Sequence, residues 1–265
     1  MEFFSGECMT GQNSAIIGGT GFERLPAEIF AEEFVVETEF GMVPVLSVSN
    51  NYVEPQKLFF LSRHGSDHAL APHQINYRAN IAALVELGVC NIYASNAVGS
   101  LRLSLPPGSF VLFDDFIDMT RARELTFAAE GKDWKHTDFS VPYDPVLRRC
   151  LLEEAAAIGS PVLPHATYLC CDGPRFESPA EIRLFASWGA DVVGMTGLPE
   201  AIFAREAGMK YAALGIVTNY GAGLTRDLVD HGSVTELMAS KLPLVRELLI
   251  GSSARLYQTD QVGTR

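Results

Sequence analysis

The chain has 265 residues, 48% of them hydrophobic and 20% charged, with 23 Gly and 14 Pro, and is long enough to bury a sizeable core. Twenty Lys and Arg against 32 Asp and Glu leave a formal charge of −12, which argues against a sequence-independent nucleic-acid surface but leaves room for a small anion in a locally positive pocket. No apolar run approaches the ~18–20 residues of a membrane-spanning helix. The opening MEFFSGECMTGQN has neither the cationic nor the apolar part of a signal peptide. Five Cys without C-x-x-C spacing suggest neither a disulfide framework nor a zinc ribbon. A cytoplasmic protein is expected.

In chain order, short β-branched and aromatic runs predict strands at 14–17, 43–48, 57–61, 91–95, 109–113, 167–171, 190–193 and 211–217. Asn76 to Leu87 puts Tyr77, Ile81, Leu84 and Val85 on one helical face, and Gly88 stops it. Ser178-Pro179-Ala180-Glu181 is a capping box with proline at the first helical position. Pro199 opens a short helix ending near Gly208. Ser233-Val234-Thr235-Glu236 is a second capping box, opening a helix toward Leu249 that must accommodate Pro243. Apolar strands alternating with helices predict one α/β domain, residues 13–251, with a mixed, largely parallel sheet covered on both faces. Residues 1–12 and 252–265 read as polar tails.

Six segments beyond predicted strand ends carry possible chemistry. Ile16-Ile17-Gly18-Gly19-Thr20-Gly21 is a glycine turn, but Arg24 breaks the dinucleotide fingerprint and no G-K-[ST] exists. What survives is a turn whose amides and Thr20 hydroxyl can hold an anion, or a plain tight turn. Ser62-Arg63-His64-Gly65 offers a guanidinium fork suited to phosphate, although an exposed Arg-His pair is also ordinary surface. His64, His68 and His73 with Asp67 invite a metal reading, but Pro72 and the nearby glycine argue for a loop, and no metal is expected. Ser95-Asn96-Ala97-Val98-Gly99-Ser100 is a strand running into a small-residue turn. Gly173-Pro174-Arg175-Phe176-Glu177, Gly194-Met195-Thr196-Gly197 and Thr218-Asn219 complete the set. Singly each is a loop. Jointly they place polar side chains beyond the carboxyl ends of several strands, where open α/β sheets bind ligands. Asp114, Asp115 and Asp118 read as solvated or structurally bonded acids, and Cys170-Cys171 as small core groups.

These motifs, in this order, resemble the trimeric purine nucleoside phosphorylase and methylthioadenosine phosphorylase family from about Ala15 to Leu249. The resemblance implies a nucleoside phosphorylase fold and reversible phosphorolysis. A purine nucleoside and inorganic phosphate give free base and pentose 1-phosphate, with phosphate as co-substrate and no cofactor. It implies that Thr20, Arg63, His64, Asn96, Ala97 and Thr196 bind phosphate, Asn96 standing where many members carry a hydroxyl residue. Met195 would pack on the ribose, and Phe176, Glu177 and Asn219 would surround the base, with Asn219, His64 and Glu177 carrying catalysis. His136 aligns with a residue that reaches a neighbouring subunit's site, and a homotrimer is implied.

Glu177, acceptor-only when ionised, suits the N1–H of a 6-oxopurine, and Asn219 can donate to O6 or N7. Val234 falls where members using ordinary ribonucleosides tend to place a histidine for the 5′-hydroxyl. An apolar wall favours a thioether, because burying an unpaired hydroxyl costs ~1–3 kcal/mol. His231, three residues earlier, is the competing candidate for that role. 5′-Methylthioinosine is therefore the expected substrate, with general inosine and guanosine phosphorolysis, then methylthioadenosine, as alternatives. A nucleoside-binding module, a hydrolase and a nicotinamide oxidoreductase are the competing classes.

Overall fold

The computed structural model describes residues 13–26, 28–48, 57–65, 69–128 and 134–262. In chain order these form β1 (Asn13–Gly18), β2 (Phe30–Thr38), β3 (Gly41–Val48), β4 (Leu58–Ser62), α1 (Tyr77–Glu86), β5 (Val89–Ser100), β6 (Phe110–Asp118) and α2 (Pro145–Ala157). There follow β7 (Val162–Cys170), α3 (Pro179–Ser187), β8 (Val192–Gly194), α4 (Glu200–Glu206), β9 (Lys210–Tyr220) and α5 (His231–Val262). One sheet of nine strands runs β2-β3-β4-β1-β5-β8-β7-β6-β9. A further β5–β9 pairing closes its second half into a ring. Pairing is mixed: β1, β4, β5 and β9 run parallel to their neighbours among themselves, while β2–β3, β3–β4, β5–β8 and β6–β9 are antiparallel.

Period-two alternation of the central strands divides the core. Ala15 and Ile17, Ile92 and Ala94, Val111 and Phe113, and Tyr211 and Ala213 face a cluster with Ile81 and Leu84 of α1 and Phe203 of α4. Ile16, Tyr93, Leu112, Leu214 and Ile216 face the other side, with Leu147 and Leu151 of α2 and Leu248 and Leu249 of α5. Burial on both faces is why these strands read as near-continuous apolar runs. The result is a single α/β domain.

Caps set several boundaries. Asn76 Oδ1 accepts from Ala79 N at 3.0 Å to start α1, and Ser178 with Glu181 forms the expected capping box of α3. The cap of α5 differs from expectation. Asp230 Oδ2, not Ser233, accepts the first-turn amide, from Ser233 N at 2.9 Å, so the helix begins at His231. It also continues through Val262, and with Ser252 and Leu256 buried the stretch 252–257 packs on the domain, whereas residues 1–12 lie outside the described residues. Two elements, β2 and α2, are not among those expected from the sequence, although Asp144 caps α2 by accepting from Val146 N and Leu147 N at 2.9 Å. No helix among the described residues is long and apolar enough to cross a membrane.

Candidate active site

The carboxyl ends of β1, β4, β7, β8 and β9 and the last residues of β5 converge on one cavity of about 510 Å³. Its wall takes Thr20 from the glycine turn, His64 from the loop after β4, and Ala97, Val98 and Gly99 from β5. Pro174, Phe176 and Glu177 follow β7, Met195 and Thr196 follow β8, Thr218 and Asn219 end β9, and Val234 comes from the first turn of α5. The segment from Ala69 to Pro72, with Gln74, closes another side. Nine of the residues singled out from sequence thus share one wall: Thr20, His64, Ala97, Phe176, Glu177, Met195, Thr196, Asn219 and Val234.

Arg63 and Asn96 are buried, each 1% exposed, and are not among the residues that line the cavity. The Arg63 fork closes on a carboxylate of this chain, Nε to Glu200 Oε2 at 2.6 Å and Nη2 to Oε1 at 2.7 Å. Its Nη1 donates to Ser95 O at 2.8 Å, and both ion-pair side chains are fully buried. Tyr211 Oη donates to Glu200 Oε1 at 2.7 Å. Burial works to lower the Arg63 pKa, but attraction and hydrogen bonding to Glu200 outweigh it and hold it above the ordinary arginine value. Strand β5 continues through the supposed turn to Ser100, so Ser95 and Asn96 face opposite ways. Asn96 Nδ2 donates to Thr196 Oγ1 at 3.2 Å. Its Oδ1 is buried without a hydrogen-bond partner.

The glycine turn is also more occupied than its sequence suggests. Gly19 N donates to Ser95 Oγ at 3.1 Å and Gly21 N to Glu23 Oε1 at 2.8 Å, so Thr20 is the member that faces the cavity. A Cβ on Gly19 would lie 2.5 Å from Ser95 O and 2.8 Å from Arg63 Nη1, so only glycine lets the turn pack over the guanidinium. His64 Nδ1 meets Leu70 O at 2.8 Å. A carbonyl only accepts, so Nδ1 carries the proton in that bond; Nε2 accepts in the neutral ring and donates to an anion when the ring is protonated. Tyr168 Oη holds the loop after β8, accepting from Thr196 N at 3.3 Å and Gly197 N at 3.1 Å.

Elsewhere on the wall, Glu177 Oε1 is buried without a hydrogen-bond partner, and burial raises the carboxyl's pKa above the ordinary value. Asn219 Oδ1 accepts from Thr218 Oγ1 at 2.9 Å and its Nδ2 donates to Tyr220 O at 2.9 Å, which leaves the second amide N–H for a ligand. Arg175 turns away, gripping Glu181 at 2.7 and 2.8 Å. His136 is exposed beside Trp134, with ring centroids 5.1 Å apart, and is not on the cavity wall of its own chain. The side chain of His231 lies outside the described residues, as do His68 and Asp67, and no cluster able to hold a metal occurs among those described. Asp114 is structural, accepting from Ala166 N at 3.1 Å and facing His165 Nδ1 at 2.7 Å. Cys170 and Cys171 are free thiols pushed up by burial to about 11 and about 12.

Fold and cavity together bring the Thr20 and Thr196 hydroxyls, the His64 imidazole, the Glu177 carboxyl and the Asn219 amide onto one wall. The Phosphorylase superfamily model matches residues 13–251, and the chain belongs to that family. The 6-oxopurine nucleoside phosphorylase of Pyrococcus furiosus is 45% identical over 244 residues, covering 90% of this chain and 91% of its own. A probable S-methyl-5′-thioinosine phosphorylase of Xylella fastidiosa is 44% identical over 210 residues, 79% of this chain and 88% of its own. Among solved structures, methylthioadenosine phosphorylase from Schistosoma mansoni with adenine superposes with a TM-score of 0.86 at 30% identity, covering 93% of this chain and 92% of that one. The protein is an enzyme, a pentosyltransferase of the purine nucleoside phosphorylase type.

Proposed function

We propose that this enzyme phosphorolyses 6-oxopurine nucleosides, with 5′-methylthioinosine the preferred one, giving hypoxanthine and 5-methylthioribose 1-phosphate. The observation that carries the base assignment is the pairing of Glu177 and Asn219 on one wall: a carboxylate acceptor for N1–H and an amide donor for O6 or N7. Val234, 6% exposed and on the same wall, carries the sugar assignment, since it offers a thioether surface and gives a 5′-hydroxyl no partner.

In this reading phosphate lies against Thr20, His64, Ala97 and Thr196, with Arg63 adding charge from behind Gly19 and Asn96 orienting the Thr196 hydroxyl. A phosphate oxygen attacks the anomeric carbon as the bond to N9 breaks. The electron pair leaves with the purine, where the Asn219 amide stabilises the developing negative charge. Met195 and Phe176 hold sugar and base in line, so positioning supplies much of the rate. His136 of a neighbouring subunit in a cytoplasmic homotrimer completes the site. No cofactor or metal enters the scheme.

A second reading, a general inosine and guanosine phosphorylase, is favoured by the Pyrococcus relative, whose match covers more of this chain than the Xylella one. Specificity constants for methylthioinosine, inosine, guanosine, methylthioadenosine and adenosine, with and without phosphate, separate the readings. Methylthioinosine should lead and phosphate should be required; equal use of inosine selects the second reading. Preference for adenosines refutes the base assignment, and Asn219→Asp should shift wild-type preference toward 6-aminopurines.

A further inference from the structure

Arg123, in the loop after β6, makes a set of contacts that the functional scheme leaves unused. Its Nη2 donates to Met195 O at 2.8 Å and Asp172 O at 3.0 Å, with Cys171 O at 3.4 Å. Its Nη1 donates to Leu198 O and to Tyr77 Oη, the latter at 3.3 Å, and Nε lies 3.4 Å from Asp172 Oδ1. The side chain is 4% exposed, and its guanidinium lies 5.2 Å from the centre of the Tyr77 ring. Tyr77 Oη in turn donates to Pro72 O at 2.9 Å.

These bonds reach three separate segments of the cavity wall. Met195 and Leu198 bracket Thr196 in the loop after β8, and Cys171 and Asp172 begin the loop that carries Pro174, Phe176 and Glu177. Pro72 belongs to the segment that closes the cavity beside His64. A buried cation with this many acceptors is tied down by all of them at once. Only a planar fork can reach carbonyls on two loops and a phenol on a helix from one position, and an ammonium group cannot reproduce that arrangement.

We propose that Arg123 is a positioning residue for catalysis, fixing the base-side and ribose-phosphate loops in mutual register through one guanidinium, with Tyr77 relaying the same group to the segment at Pro72. Its role in turnover rests on the phosphorolysis reading; its role in loop order does not. Displacement of a reacting group by an ångström costs about a hundredfold in rate.

The test uses the full chain with Arg123→Lys, Arg123→Ala and Tyr77→Phe. Against whichever nucleoside the wild type cleaves best, Arg123→Lys should lower kcat and raise the nucleoside KM, with kcat/KM down about ten- to a hundredfold. Tyr77→Phe should give a smaller loss of the same kind. Added guanidinium should restore part of the Arg123→Ala activity and leave Arg123→Lys unchanged. Hydrogen exchange of Arg123→Lys supplies a readout independent of turnover. Amides at 171–177 and 194–198 should exchange about tenfold faster, with those of β1 and β9 unchanged. If Arg123→Lys keeps kcat and both KM values within about twofold of wild type, or if exchange in those loops is unaltered, the proposal is overturned. Absence of base release by the wild type would instead refute the phosphorolysis reading, and the exchange measurement would still decide the role of Arg123. Should Arg123→Ala fail to fold, the Lys and Phe variants decide.

Discussion

Glu200→Gln tests the centre of the site most directly. The substitution keeps the shape of the side chain but removes the charge that balances Arg63, and both side chains are fully buried. Two hydrogen bonds of 2.6 and 2.7 Å become one neutral bond at best, and the 2.7 Å bond from Tyr211 loses its charged acceptor. Breaking a buried pair from one side costs ~3–5 kcal/mol, because the remaining charge is stranded. At ~2–4 °C per kcal/mol for a domain of this size, the melting temperature should fall by roughly 6–20 °C. Tyr211→Phe, which removes one bond to a charged acceptor, should cost ~1.5–3 kcal/mol. Replacing both partners with apolar residues, Arg63→Met with Glu200→Leu, should leave stability near that of wild type. That double variant separates the two duties of Arg63. It should fold, yet its phosphate KM should rise tenfold or more if the guanidinium also contributes a charge-assisted contact of ~1.5–3 kcal/mol. Calorimetry and phosphate-dependence kinetics supply the readings. A Glu200→Gln melting point within about 2 °C of wild type refutes the stability argument, and an unchanged phosphate KM in the double variant makes Arg63 wholly structural.

On the proposed reading, Glu177 and Val234 each give a further testable outcome. Burial raises the Glu177 pKa, and the ionised form is the acceptor for N1–H, so nucleoside KM should climb as pH falls through a value above the usual ~4.3 for Glu. Glu177→Gln should abolish that limb and weaken kcat/KM by roughly tenfold or more, while leaving the fold as stable or more so above the folded pKa, where the buried carboxylate is a penalty. A Glu177→Gln profile that keeps the acid limb contradicts the assignment. Val234→His should raise the inosine-to-methylthioinosine ratio of kcat/KM by about ten- to a hundredfold, the equivalent of ~1–3 kcal/mol for a hydroxyl that gains a partner; an unchanged ratio removes Val234 from the 5′ subsite.

The cavity wall was legible in the sequence, and its support was not, for a physical reason. Polar residues beyond apolar strands, such as Thr20, His64, Thr196 and Asn219, stand out because sheets place ligands at that edge. Glu200 reads instead as an ordinary first-turn acid of a short helix, since nothing local shows that β4 will bring Arg63 against it. Arg123 reads as a loop cation for the same reason: its partners are 46 to 75 residues away. Strand β2 is hard to see in the sequence because Glu32, Glu33 and Glu37 dilute its apolar alternation, as suits an edge strand at one end of the sheet. Small residues suggested a turn, but β5 pairs with β9 through Ser100, and the alternation turns Asn96 onto Thr196.

On the proposed reading, the balance of charge around the phosphate suits a reversible phosphorylase. Among the described residues the cavity wall carries no Lys or Arg, and the Arg63 guanidinium behind Gly19 is paired with Glu200. Phosphate on the proposed reading lies against the Thr20 and Thr196 hydroxyls and the His64 imidazole, with Arg63 adding charge only as the partner of Glu200. Binding energy that phosphate and transition state share equally deepens the ground state without speeding the reaction. An unpaired buried Arg would provide energy of that kind, and would hold a sugar phosphate product as firmly as the substrate anion. Pairing Arg63 with Glu200 keeps the guanidinium oriented behind Gly19 while limiting its net charge, so the site can favour charge that develops between phosphate and the departing purine. The glycine at position 19 permits that closeness, since a Cβ there would meet Arg63 Nη1 at 2.8 Å.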